Sequence, residues 1–181
     1  SLNYKNLRME VFGTNVWNYV NQTQITINGK RNVTYKNVDA YMLGFNFDAD
    51  WKHLNISANY TYAQNKTNAS PLAEIPPFKI TSTIYSPEFS GLTGFIRHTF
   101  NDSQTRVDLN LSEKSTPSWN KLDAGISYTL KTIRLSLEVE NITNELYYQH
   151  LSYSRDPFAS GATVFEPGRT IRFNIKYDNV F

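Results

Sequence analysis

The chain has 181 residues, a net charge of only +2 and no cysteine. Near balance between Lys and Arg and the acidic residues gives no basis for nucleic-acid binding, and the missing thiols exclude disulfides and thiolate metal sites. Tyr and Phe occur 12 and 11 times, and aromatic and β-branched residues suit strands.

No stretch approaches the roughly 18 consecutive apolar residues that a membrane helix requires. The start, Ser1-Leu2-Asn3-Tyr4, lacks an apolar leader core, so the chain is expected to be mature or to begin partway through a longer protein. A low mean hydropathy of -0.49 is compatible with a membrane barrel, in which only alternate residues face lipid.

In chain order, period-2 alternation dominates. A first strand is expected over residues 3–13, where Leu7, Met9 and Val11 alternate with Arg8 and Glu10. Asn28-Gly29, between residues 25–27 and Val33, is a hairpin signal, and it predicts a projecting β-ribbon. Tyr41, Leu43, Phe45, Phe47, Ala49 and Trp51 then alternate with Met42, Gly44, Asn46, Asp48 and Asp50. A tight turn at Lys52-His53 leads to a strand with Leu54, Ile56, Ala58, Tyr60 and Tyr62 on one face.

Residues 78–85 and 91–101 read as weaker strands joined by a short Pro87-containing turn. Leu122, Ala124, Ile126, Tyr128 and Leu130 share a face in the next strand, and a turn at Lys131-Thr132 leads to Ile133, Leu135, Leu137 and Val139. The last strand sets Ile171, Phe173, Ile175 and Tyr177 against Arg172, Asn174 and Lys176. This makes about eight strands and no helix.

Short turns alternate with long polar loops at 64–77, 102–118 and 141–169. Short turns on one side and long loops on the other are the pattern of outer-membrane barrels. The alternation predicts Leu43, Phe45, Ile56, Ile126, Leu137 and Ile175 facing outward, and Arg134, Glu138, Asn174 and Lys176 facing the lumen. A soluble all-β binding module, such as a sandwich, would also alternate. Mid-strand charges opposite long aromatic faces weigh against it. A complete eight-stranded barrel, acting as an anchor or adhesin, would close at this strand number.

The tail narrows the choice. Glu140-Asn141-Ile142-Thr143-Asn144-Glu145-Leu146-Tyr147-Tyr148, then Arg155-Asp156-Pro157-Phe158, then Glu166-Pro167-Gly168-Arg169 and an alternating strand ending in Phe181 resemble the final loop and strand of TonB-dependent outer-membrane receptors. Pro76-Pro77-Phe78-Lys79 resembles an internal segment of the same family, with Phe78 where His is usual. The resemblance covers the chain loosely and residues 138–181 tightly. It implies an all-β, antiparallel, up-and-down transmembrane β-barrel. Residues 1–181 would be an open C-terminal segment, about the last third, of a barrel of about 22 strands.

The plug domain and TonB box would lie outside this chain. The implied function is active import of a scarce nutrient, most commonly a ferric siderophore or other metal complex. The implied partners are outer-membrane lipid and lipopolysaccharide, the plug and remaining strands, the TonB energy complex and the barrel-assembly machinery. Phe173, Tyr177 and Phe181 are similar to the family's assembly signal.

Five loop residues are candidates for ligand contact: Tyr147, Tyr148, His150, Arg155 and Asp156. A lone loop histidine is more often solvated, and an Arg-Asp pair more often pins a loop. No His, Asp or Glu cluster has metal-ligand spacing, and nothing calls for a cofactor. Nine Asn-x-Ser/Thr triplets follow from the Asn- and Thr-rich composition. No nucleophile–base pair, phosphate loop or catalytic carboxylate pair stands out, so no enzyme is expected.

Overall fold

A computed structural model describes residues 2–4, 6–152 and 163–177. Nine antiparallel strands form one sheet in strict chain order: β1 (Leu2–Tyr4), β2 (Leu7–Ile27), β3 (Lys30–Trp51), β4 (Leu54–Asn65), β5 (Lys79–Tyr85), β6 (Leu92–Asn101), β7 (Trp119–Leu130), β8 (Ile133–Glu140) and β9 (Thr170–Tyr177). A 3-10 turn spans Leu109–Leu111, and no α-helix occurs among the described residues.

The expected first strand over 3–13 is instead two strands. Leu2–Tyr4 doubles back and pairs Leu2 with Met9 and Tyr4 with Leu7. A turn at Asn6, a residue suited to reversals, separates them, and the carbonyl of Asn6 accepts the N–H of Asp50 at 2.7 Å.

The sheet does not close on itself. β9 pairs with β8, Leu135 lying opposite Ile175 and Val139 opposite Ile171. Residues 7–11 pair with 45–49 of β3. No ladder joins β9 to β1 or β2 among the described residues, so the complete eight-stranded barrel is ruled out for this chain.

The register sorts side chains into two faces. Ile126 lies opposite Leu137, and Leu137 opposite Phe173. One residue along, Gly125, Glu138 and Arg172 line up. Further round, Val11, Phe45 and Tyr60 form an apolar row, beside a polar row of Glu10, Asn46 and Asn59. The expected division of Leu137 from Glu138 is therefore observed. Leu43, Ile126, Leu137 and Ile175 are exposed.

That band has a measurable height. On β3 it runs from Trp51, at the short-turn end, to Tyr41, at the long-loop end. Ten residues at about 3.4 Å each, tilted by about 45°, span roughly 24 Å, which matches the apolar band of an outer-membrane barrel. β2 and β3 are 21 and 22 residues long, about twice the 9–11 that a membrane crossing requires. Their distal halves form the expected ribbon, closed by Asn28 and Gly29 at φ 51° and 75°, both in the left-handed region that a tight hairpin demands.

A β-bulge marks the passage from wall to ribbon. The register shifts between Val16 and Tyr19. Asn18 takes φ 56°, and its N–H is held by the Asp39 carboxylate at 3.1 Å. Bulges raise local twist and re-aim a strand.

The polar face is not uniformly polar. The Phe12 ring lies over Gly44 on β3, and the Phe95 ring over Gly125 on β7, where a β-carbon would collide with it. Glycine here gives an aromatic ring room to lie against the neighbouring strand. Nearer the mouth, Leu72 of the 66–78 loop is fully buried against Ala40 and Ala63, with Tyr19, Met42 and Ile75 packed around them. By the alternation, Ala40, Met42 and Ala63 point to the polar face, so this loop folds inward over the lumen.

The two faces predict opposite responses to charge. Leu137→Arg, in the middle of the apolar face, is expected to cost about 2–4 kcal/mol in a bilayer. Ser136→Arg, one residue away on the polar face, is expected to cost far less. Urea unfolding of each variant in lipid vesicles checks this, and equal costs would refute the assignment of faces.

Candidate binding mouth

All long connections leave one end of the sheet: 66–78, 102–118 and 141–169, with the β2–β3 ribbon beside them. The last loop is anchored on the polar face by a buried carboxylate. Asp123 of β7 is 1% exposed. Its Oδ1 accepts the N–H of Asn141 at 2.8 Å. Lys121 Nζ lies 3.4 Å and Arg97 3.7 Å from Oδ2. Arg97 also reaches Glu138 at 3.7 Å. A buried charge is tolerated when paired and hydrogen-bonded in this way.

Asn141 then organises the loop. It leaves β8 at φ 53°, a conformation asparagine tolerates better than most residues. Its Nδ2 donates to the carbonyls of Glu145 at 2.9 Å and Pro167 at 3.4 Å. Its Oδ1 accepts from the N–H of Glu145 at 2.9 Å. Asn144, at φ 55°, accepts the N–H of Arg169 at 2.9 Å. A β-carbon at Gly168 would press on that same Asn144 oxygen. The Asn-x-x-Asn and Pro-Gly elements of the tail thus bind the loop's exit to its return.

Beyond Asn144 the chain folds over the lumen. Tyr147 is buried, its ring centroid 4.2 Å from that of Trp119. Tyr148 packs edge-on against Phe165.

His150 is 6% exposed and has both ring nitrogens engaged. Nδ1 is 2.7 Å from Thr116 Oγ1, and Nε2 is 3.0 Å from Glu113 Oε1. Glu113 in turn accepts the N–H of Glu74 at 2.8 Å and of Asp108 at 2.6 Å. One carboxylate therefore joins all three long loops. Burial by itself would push the Glu113 carboxyl up, but bonds from His150 and from the backbone at Asp108 and Glu74 outweigh it and hold the carboxyl below its usual value.

Beside this clasp lies a hollow of about 410 Å3. The ribbon contributes Gln22 and Val33, the first loop Glu74, the second Lys114 and Ser115, and the last Tyr148 and Ser152. Its volume falls within the range of small-molecule sites. The lining combines hydroxyls, one ammonium group and an aromatic ring with the Glu74 and Glu113 carboxylates and the His150 imidazole.

The structure treats the five candidate ligand residues differently. Tyr148 and His150 line the hollow, although both nitrogens of His150 are already bonded within the clasp. Tyr147 is not part of the lining and packs against Trp119. Arg155 and Asp156 lie outside the described residues, as does Phe181 of the expected assembly signal. Phe173 and Tyr177 of that signal lie on the apolar face of β9 and are exposed.

Of the lumen arginines, Arg97 and Arg172 are paired with carboxylates, and Arg134 donates to Ser127 Oγ at 3.0 Å. Glu113 and Thr116 escaped sequence reasoning because their loop has no periodicity, and Trp119 opens β7 ahead of the alternating run that starts at Leu122. Asp123 could be placed only on a polar face. Among the described residues, no group of three or more His, Asp or Glu side chains could hold a metal ion.

The profile of the family described as "TonB dependent receptor-like, beta-barrel" matches residues 2–142. The chain belongs to this family of TonB-dependent receptors. The match covers the strand wall and stops at the start of the final loop, so it is independent of most of the tail motif. The family is made of transport receptors, not enzymes, and its members are outer-membrane proteins of Gram-negative bacteria.

Among solved structures, the copper transporter OprC superposes with TM-score 0.76 at 18% identity, covering 97% of this chain and 29% of its own. The ferric yersiniabactin uptake receptor FyuA from Yersinia pestis gives 0.69 at 15% identity, covering 98% and 28%. The siderophore receptor PiuA from Acinetobacter baumannii gives 0.65 at 20% identity, covering 94% and 26%. The chain thus spans under a third of the length of the receptors it matches. A search of proteins with curated functions gave no match.

The clasp predicts a pH response of definite sign. A carboxyl whose folded-state value is lowered stabilises the closed loops fully above the ordinary carboxylate range, near pH 4.3. That contribution is lost as pH falls through the lowered folded value. Protease resistance of the 102–118 and 141–169 loops should therefore hold at neutral pH and fall in acid. Glu113→Gln should lower it at neutral pH and flatten the acid limb that this group contributes.

Proposed function

We propose that this chain forms part of the wall and extracellular mouth of an active outer-membrane importer. Its cargo is a ferric siderophore or another metal complex. The observation that carries this reading is the convergence of the ribbon and all three long loops on one hollow above the polar face. A conduit wall with a shaped vestibule needs both.

Residues 1–181 are the C-terminal portion of the barrel in this reading. The plug packs against the polar face, the remaining strands continue the sheet from its two edges, and the energy complex acts through the plug. Phe173 and Tyr177, with Phe181, present the last strand to the assembly machinery.

The relatives support this choice of cargo. The printed names of OprC, FyuA and PiuA are those of a copper transporter, a ferric yersiniabactin uptake receptor and a siderophore receptor. In the hollow, Tyr148 and Lys114 offer an aromatic face and a cation to an anionic, aromatic-bearing chelate, and the bonded His150 holds the loops that carry them.

The test is uptake of radiolabelled metal chelates by cells that depend on the whole receptor. Joint substitution Lys114→Ala and Tyr148→Ala is expected to weaken binding of the transported chelate about tenfold or more, with the receptor still assembled. Unchanged binding and uptake would overturn the placement of the site. A receptor that imports no metal chelate would overturn the choice of cargo.

A further inference from the structure

One ionisable side chain stands on the apolar face of the wall. On β6, Arg97 belongs to the polar face through its ion pairs with Asp123 and Glu138. Thr99 belongs there too, its hydroxyl 3.4 Å from that of Thr81. His98, between them, therefore points outward, in phase with Leu92 and Ile96, and it is exposed. Its cross-strand neighbours are Ser82 on β5 and Leu122 on β7. Ser82 in turn lies opposite the outward Ile56.

The strand sets the depth of this pair. Leu92, opposite Tyr128, begins the crossing at the short-turn end. The rise from Leu92 to His98, at about 3.4 Å per residue and a tilt of about 45°, is roughly 14 Å, inside an apolar band about 25 Å tall. Ser82 stands beside His98 at nearly the same depth. Neither side chain makes a hydrogen bond or ion pair among the described residues. The rows above and below are Ile80 with Phe100, and Ile84 with Ile96 and Ala124. Hydrocarbon offers neither donor nor acceptor, so a polar group held there is costly unless protein meets it.

The surface beside the pair has room for a partner. Toward the short turns the outward face dips over Gly94 and Ala124, ringed by Ile84, Ile96, Ile126 and Leu137, in an apolar hollow of about 650 Å3. Two receptors inserted in the same direction pair about a two-fold axis along the membrane normal. Such a contact is isologous, and each residue meets residues of its own depth. With the axis between β5 and β6, His98 of one copy faces Ser82 of the other, and the reverse. Imidazole and hydroxyl can each supply a donor and an acceptor, so the two contacts complement one another. Tilted strands of the two walls cross there, which confines the contact to a patch, with Ile84 and Ile96 beside the facing hollow.

We infer that the β5–β6 face is a contact between two copies of the receptor, centred on reciprocal hydrogen bonds between His98 and Ser82 of the partner subunit. The inference rests on the apolar face meeting lipid and is independent of what the receptor imports.

The test uses the whole receptor, fluorescently labelled, in planar lipid bilayers. Single-molecule photobleaching counts copies per spot as receptor density is varied. The wild type should form pairs. His98→Leu suits lipid better than the native residue and should still assemble. It should need about tenfold higher density to reach the same paired fraction, as should Ser82→Ala. Leu43→Ala, elsewhere on the same apolar face, should pair like the wild type.

A wild type that stays monomeric at every density would overturn the inference. So would pairing that both polar variants leave unchanged, or losses of equal size in all three variants. Should His98→Leu fail to assemble, a photo-crosslinking residue in place of Ser82 in intact cells decides, with the same residue in place of Leu43 as background. An adduct of two receptors specific to position 82 supports the pair. An adduct with a different protein, or none above background, overturns the choice of a second copy.

Discussion

In hydrocarbon there is no water to satisfy a peptide group, so each unpaired N–H or C=O costs several kcal/mol. The rest of this structure follows from that constraint. The strands from β2 to β8 run in strict up-and-down order because each must be bonded along its membrane length on both sides. The outer edges of the sheet are the exceptions. β1 covers only residues 7–9 of β2, and β9 is paired on one side. In the proposed receptor those edges are continued by the remaining wall. Bare edges of this length would otherwise invite aggregation.

Once the backbone is fixed, the period-2 geometry of strands divides the labour between faces. The apolar face needs only oily side chains and aromatic ends at the right height. The polar face has the harder task, because charge there sits close to buried structure. It is met locally: Arg97 is shared between Asp123 and Glu138, and Arg172 meets Glu140. Asp123 then does more than balance charge. By holding Asn141 where β8 ends, it transmits the rigidity of the wall to the final loop. Asn141 and Asn144 pass it on to the return segment at Pro167 and Arg169. A mouth held in this way can present a preformed hollow, which lowers the ordering cost of binding.

How far all this was legible depended on how local the cause was. Alternation at 122–130 and 133–139 was enough to place β7, β8 and their faces, since one side is committed to lipid and a slip of one residue would reverse every side chain. Asn28-Gly29 announced the ribbon because the turn demands those residue types. The reversal at Asn6 was missed, for the run from Asn3 to Gly13 looks continuous when only apolar spacing is read. The bulge at Trp17-Asn18 was also invisible, depending as it does on Asp39 from the opposite strand. The clasp was out of reach for a similar reason. Glu113, Thr116 and His150 are dispersed over two loops with no periodicity, and only the folded backbone brings them together. His150 stood out as a lone loop residue; that it is buried and doubly bonded is a fact of packing. Phe12 and Phe95 fall in phase with Arg8, Glu10 and Arg97 on the polar face, and only the neighbouring strands show why aromatic rings are accepted there: Gly44 and Gly125 leave room for them.

The central claim is that one face of this sheet meets lipid and the other meets the water-filled or plugged interior. The chain has no native cysteine, so single cysteines can be introduced and spin-labelled one at a time along 133–140 and 170–177 of the receptor in a bilayer. Collision rates with oxygen, which concentrates in lipid, and with a water-soluble nickel chelate then report each position directly. The account predicts a period of two in both strands, with oxygen favoured at Leu137 and Phe173 and shielding from lipid at Glu138 and Arg172. Profiles without that alternation, or with the two faces reversed, would contradict it.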